Sequence, residues 1–92
     1  MKEEFLPLGS IVLLKEAKRY VVVIGYTVVE DGSKDIWDYL GCPYPMGVMD
    51  PNKNLLFNRD QIEKVVFTGF RDEDGRKFRK KLTDTLKKIK NA

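Results

Sequence analysis

The side chains that most often carry catalysis are scarce in this sequence. Histidine is absent, and the single cysteine, Cys42, has no second cysteine to join it. A zinc site, a Cys-His pair and a Ser-His pair therefore cannot be assembled. The 14 acidic residues leave carboxylate sites for magnesium or for glycoside chemistry open, but no spacing places two of them in an apolar pocket. We therefore expect no enzyme activity, no metal site and no cofactor.

Two local features resemble reactive sites but have simpler explanations. Residues 69–75 combine two glycines with Asp72, Glu73 and Asp74, yet they lack the alternating acidic spacing of an EF-hand calcium loop. Acidic residues are also typical of a helix start, which is the interpretation we adopt. Cys42 has no basic neighbour in sequence, so we expect a reduced and buried small side chain rather than a nucleophile.

Charge is distributed unevenly along the chain. Residues 76–90 hold eight basic residues and one acidic residue, whereas the other segments hold nine basic and 13 acidic residues. A basic helix could bind nucleic acid, an acidic membrane or an acidic protein partner. It could equally be a solvated face, or pack against its own acidic body. Nucleic acid is less favoured, because neither basic-aromatic interleaving nor helix-turn-helix spacing is present.

The elements that must position these side chains begin with β-rich runs. The runs at residues 11–14 and 20–29 are joined by a short polar link and predict an antiparallel hairpin. The second run is almost entirely apolar, so we expect it to be central and covered on both faces over part of its length, with a bend or bulge at Gly25. A polar turn at residues 30–35 leads to a third strand at residues 36–42.

The second half of the chain predicts a loop, two short strands and one long helix. Residues 43–52 contain three prolines, and we define them as the proline loop. A short strand at 53–57, a helical turn capped by Asn58 and a strand at 64–68 follow. Residues 73–90 form the predicted helix, and its apolar stripe, which covers either its own sheet or a partner, consists of Phe78, Leu82, Leu86 and Ile89.

The predicted fold is therefore one α+β domain over residues 1–92, with the sheet at about 8–70 and the helix at about 73–90. The sheet should be twisted and antiparallel, with four to five strands, and a small barrel is the alternative. A monomer and a homodimer both fit this pattern.

Large rings and prolines in the middle of the chain suit a recognition surface. Strand alternation places Trp37 and Tyr39 on one face and Ile36 and Leu40 on the other. Core positions are favoured for Trp37 and Phe67, and Tyr44 could lie in the core or at the surface. The candidate contact residues for a protein partner lie at the rim of the proline loop and on the basic helix; they are Tyr39, Tyr44, Met46, Met49, Arg79 and Lys80.

Membrane insertion is not expected. The longest apolar stretch, at residues 20–26, has about seven residues, whereas a membrane-spanning helix needs roughly 20. The first seven residues also lack the pattern of a signal peptide. We therefore expect a cytoplasmic protein.

The order of several short motifs is also informative. The block at residues 39–47 reads Tyr-Leu-Gly-Cys-Pro-Tyr-Pro-Met-Gly; residues 6–14 and 23–26 precede it, and residues 56–58, 62 and 65–70 follow it. Over about residues 5–82 this order resembles the bacterial family known as domain of unknown function 4176, found mainly in Gram-positive Firmicutes.

The resemblance implies a genomic context and a role. Members of the family are encoded beside type VII secretion toxins that carry an LXG domain. It implies an accessory or targeting chaperone that binds the toxin in the cytoplasm before export. The alternatives are an immunity protein for a neighbouring toxin and a small nucleic-acid-binding barrel that uses the basic helix. An enzyme with an unrecognised carboxylate site is the remaining alternative.

Overall fold

The computed structural model describes residues 5–29 and 36–90, without the side chains of residues 89 and 90. The polar turn predicted at 30–35 and the side chain of Ile89 lie outside the described part. The strands are β1 (Ile11–Leu14), β2 (Tyr20–Val29), β3 (Ile36–Pro43), β4 (Leu55–Phe57) and β5 (Ile62–Phe67), and the helix is α1 (Glu73–Lys90). Two 3-10 turns, Pro51–Lys53 and Arg59–Gln61, flank β4.

All strands pair antiparallel in one open sheet with the order β4-β3-β2-β1-β5. The α+β fold predicted from sequence is thus confirmed, and β4 and β5 form the two edges. The barrel alternative is wrong, because within the described ranges the two edge strands do not pair with each other. The predicted helix matches α1, whereas β5 begins two residues earlier than predicted.

The central strand β2 has the irregularity that its glycine predicts. Its register against β3 shifts between Val23 and Gly25, so Ile24 is the extra residue of a bulge. Thr27 lies further along the same strand with a φ of 47°, which is rare for a β-branched residue.

The core lies between one face of the sheet and α1. Leu86 of α1 packs with Val12, Val21, Val23, Tyr39 and Phe57, and Leu82 packs against the same cluster. Phe5 lies edge-on to Tyr39 with ring centroids 5.5 Å apart, and Tyr39 stacks on Phe57 at 5.3 Å. Leu82 and Leu86 of the apolar stripe therefore cover the protein's own sheet, whereas Phe78 of the stripe is 54% exposed.

Three predictions about burial have different outcomes in the structure. Phe67 was expected in the core but is 58% exposed, because β5 is an edge strand. Strand β2 was expected to be covered on both faces over part of its length; Val21 and Val23 are buried and Val22 is half-buried, whereas Tyr20 and Ile24 are exposed. Trp37 is half-buried, whereas Cys42 is buried and free, as predicted.

Polar contacts hold the chain segments that lead into the sheet and the helix. The Ser10 hydroxyl donates to the Pro7 carbonyl at 2.7 Å and accepts from the Gly69 amide at 2.9 Å, so it joins the segment before β1 to the segment after β5. A carboxylate oxygen of Asp72 accepts from the Gly75 amide at 2.8 Å. This contact caps the first turn of α1, as the acidic residues at the helix start predict.

Candidate interaction surfaces

The structure separates the six candidate contact residues into two groups. Tyr44 and Met46 are exposed, Met49 is 78% exposed, and Lys80 is exposed on α1. Tyr39 is fully buried, and Arg79 is only 7% exposed. Tyr39 faces α1 from a central position of the sheet, so its side chain is not available to a partner. Tyr39 is therefore not part of the contact surface.

The proline loop presents its apolar side chains because its backbone turns tightly. The Gly47 amide donates to the Pro43 carbonyl at 2.8 Å, and Gly47 has a φ of 76°. The Tyr44 amide donates to the Tyr20 carbonyl at 3.1 Å, which fixes the start of the loop to β2. The exposed side chains of Met46, Val48 and Met49 project from this frame beside a depression of about 280 Å³.

The sheet has a second apolar face. The sequence predicted only that β2 is apolar, not that its neighbours add to the same face. Cross-strand partners point to the same side of a sheet. Pairing therefore places a set of apolar side chains opposite the core and away from α1, and we name it the second sheet face; it consists of Ile11, Leu13, Tyr20, Val22, Leu40, Cys42, Leu56 and Phe67. Ile11, Leu13, Val22 and Leu40 are half-buried, since neighbouring side chains cover one another.

The proline loop continues this face. The rings of Tyr20 and Tyr44 lie 6.2 Å apart, so the exposed loop side chains begin where the sheet ends. We call the second sheet face together with Tyr44, Met46, Val48 and Met49 the loop-sheet surface. A contiguous apolar surface of this kind on a small protein is typical of a protein interaction site.

A separate groove of about 330 Å³ lies at the start of α1. Its walls include Leu8, Ile24, Phe70 and Phe78, all of which are exposed, and Arg79 lines it as well. Tyr26 lies beside Arg79. Burial raises the pKa of Tyr26, and the Arg79 guanidinium acts in the opposite direction through a hydrogen bond and its charge.

A second buried polar group lies near β4. Asp38 is buried, and one of its oxygens accepts from the Arg59 amide at 2.9 Å and from Arg59 Nε at 3.4 Å. The Arg59 guanidinium lies 4.8 Å from the centre of the Phe5 ring. These contacts tie the turn after β4 to β3 and to the core, so the pair has a structural role.

No three His, Cys, Asp or Glu side chains of the described residues come together in a way that could hold a metal ion. No described helix is long and apolar enough to cross a membrane.

Comparison with known proteins gives one match. Residues 5–78 match the family model described as Domain of unknown function (DUF4176). No curated protein and no solved structure matches the chain. The family match ends at Phe78 inside α1, so the part of α1 that carries Leu82 and Leu86 lies beyond it.

Proposed function

We propose a function for this chain, which belongs to the DUF4176 family. We propose that it is a non-catalytic accessory chaperone that binds a type VII secretion LXG toxin in the cytoplasm before export. The toxin context comes from the resemblance of about residues 5–82 to this family, in which the block at residues 39–47 is the most specific part. The binding role has independent support in the surface of the protein.

The observation that carries the proposal is the loop-sheet surface. It combines an apolar sheet face on the side away from α1 with a loop whose side chains are held in solvent. Burying a single exposed Met or Leu side chain contributes about 1.5 to 3 kcal/mol, whereas association itself costs about 4 to 15 kcal/mol, so micromolar binding needs many such contacts over the whole surface. At low ionic strength the exposed basic residues of α1 would steer an acidic client toward the protein and raise the rate of association.

The experiment is co-purification of the tagged protein with the proteins encoded beside it, in moderate salt. Recovery of one LXG toxin at a fixed ratio supports the proposal. Rescue of cells that make only the toxin's C-terminal catalytic domain would instead support an immunity protein. Recovery of nucleic acid alone, lost as salt rises, would contradict the proposal.

Variants locate the surface within the same experiment. Met46→Asp places a charge at the centre of the proline loop and should lower client affinity at least tenfold, because a carboxylate would have to be desolvated in an apolar contact. Tyr44→Ala should weaken binding in the same direction. Thr85→Asp is the matched control, because it adds the same charge at an exposed position of α1. Equal binding by all three variants would remove the proline loop from the interface.

A further inference from the structure

Arg79 occupies an unusual position for a cation. It is 7% exposed and lines a groove whose walls are formed mainly by Leu8, Ile24, Phe70 and Phe78. Among the described residues, no carboxylate oxygen lies within 4.0 Å of its guanidinium. Buried charges in proteins are usually paired, since removing an ion from water costs several kcal/mol. Tyr26 hydrogen-bonds to Arg79, and Asp72 lines the same groove, but no described carboxylate contacts the Arg79 guanidinium.

The N-terminus of α1 also lies at the groove. Asp72 and Gly75 both line it, and the N-terminus of an 18-residue helix favours a nearby anion. The acidic residues there are already engaged in part, because Asp72 caps Gly75 and Glu73 pairs with Arg76 at 2.8 Å. Together with Asp74 they repel a polyanion. An apolar ligand that carries one carboxylate therefore fits the apolar groove and its Arg79 side chain best.

We propose that the groove binds one acidic side chain of a protein partner, with the carboxylate on the Arg79 guanidinium and flanking apolar side chains against Phe70 and Phe78. A guanidinium matches a carboxylate through two parallel hydrogen bonds. The volume of about 330 Å³ is in the range of small-ligand pockets. This inference rests on the proposed function only in taking the ligand from a protein partner.

The chemistry of the groove can be tested without the partner. The probes are 3-phenylpropionate and its amide, which has the same body but no charge, titrated into ¹⁵N-labelled full-length protein. We expect saturable shifts of the Gly25 and Gly75 amides and of Arg79 Nε with the acid, and at least tenfold weaker binding of the amide. Equal shifts with both probes, or none with the acid, would overturn the inference.

Three variants distinguish binding in the groove from a general effect of positive charge on α1. Arg79→Gln should weaken binding of the acid at least tenfold, whereas Arg76→Gln removes the same charge from an exposed position of the same helix and should change it less than twofold. Gly75→Ala keeps the charge of Arg79, but the added Cβ would lie 2.9 Å from an Arg79 guanidinium nitrogen. It should weaken acid binding while the protein stays folded, and undiminished binding by both groove variants would contradict the assignment.

Co-purification with the client tests the source of the carboxylate. Loss of the toxin with Arg79→Gln but not with Arg76→Gln supports an acidic client residue in the groove. Unchanged recovery of the toxin by Arg79→Gln would overturn this source while leaving the proposed function intact. Probe binding by a wild-type protein that recovers no toxin would contradict the proposed function and the protein source together, and would leave a free small acid as the ligand.

Discussion

At the scale of single residues, Tyr39 shows why a ring next to a candidate motif was misassigned. Strand alternation identified one face for Trp37 and Tyr39, but it could not say which face α1 would cover. In the structure the Tyr39 hydroxyl accepts from the Leu6 amide at 2.8 Å, and its ring lies between Phe5 and Phe57. Tyr39 therefore joins the segment before β1 to the core and has a structural role.

The Tyr39 hydroxyl should make stability depend on pH in the alkaline range. Burial raises its pKa from 10.0 to about 12. Below pH 10 the phenol is neutral in both folded and unfolded chains, so its contribution is fully present. Between pH 10 and 12 the unfolded chain loses this proton while the folded chain keeps it, so the free energy of unfolding falls.

The variant Tyr39→Phe isolates that effect. At pH 7 it should lower the free energy of unfolding by about 1 kcal/mol, because one hydrogen bond is lost. The free energy of unfolding, measured in urea, should then fall less steeply between pH 9 and 12 for the variant than for the wild type. Parallel curves would show that Tyr39 ionises equally in both states and would contradict its burial as the cause.

Asp38 offers a second prediction at the residue scale. Asp38→Ala removes the acceptor of the Arg59 amide and side chain, so it should lower the free energy of unfolding by about 2 kcal/mol in urea titrations. Asp38→Asn keeps an oxygen acceptor for the amide and should cost less. If both variants cost the same, the negative charge rather than the hydrogen bond to the amide would carry the stabilisation.

At the scale of elements, α1 is where the sequence was most informative. The apolar stripe and the acidic start predicted its bounds correctly, because a long amphipathic helix carries its period and its cap within itself. The short strand β4 and the bulged strand β5 were placed only approximately, since pairing with neighbours decides where a short strand begins. Whether the stripe faces a sheet or a partner depends on tertiary contacts, which no local pattern contains.

The C-terminal half of α1 should be required for stability although the family match ends at Phe78. Leu86 is buried in the core, so Leu86→Ala should lower the free energy of unfolding by about 2 to 5 kcal/mol. Thr85→Ala is the control at the neighbouring exposed position and should change it by less than about 0.5 kcal/mol. Both values come from urea unfolding, and a small effect at Leu86 would show that α1 contributes little to the core.

The candidate surfaces were harder to predict than the elements. The exposed residues Tyr44, Met46 and Met49 were identified because the prolines predicted a loop at residues 43–52. In the structure Pro43 is the last residue of β3, and Pro51 begins a 3-10 turn. The second sheet face required the register of all five strands, and the groove required Arg79 to fold inward from a helix rich in lysine and arginine. Burial of one cation among many cannot be read from spacing alone.

At the scale of the whole molecule, apolar contact and basic charge lie on different sides. The second sheet face points away from α1, and most described basic side chains of α1 are exposed on the other side of the sheet. A client on the loop-sheet surface is therefore separated from most of this charge by the thickness of the sheet. Charges more than about 10 Å apart are largely screened at 0.1 M salt.

This separation predicts how binding responds to salt. The dissociation constant for the toxin should change by less than about tenfold between 50 and 200 mM NaCl, because apolar burial and one or two short-range ion pairs provide the affinity. A nucleic acid held by six or more lysine and arginine side chains of α1 would lose about a thousandfold or more over the same range. Isothermal titration calorimetry with the co-purified toxin at both salt concentrations measures the difference directly. A steep loss would favour an interface on α1 rather than on the loop-sheet surface, because α1 gathers six exposed lysine and arginine side chains on one element of the described part of the chain.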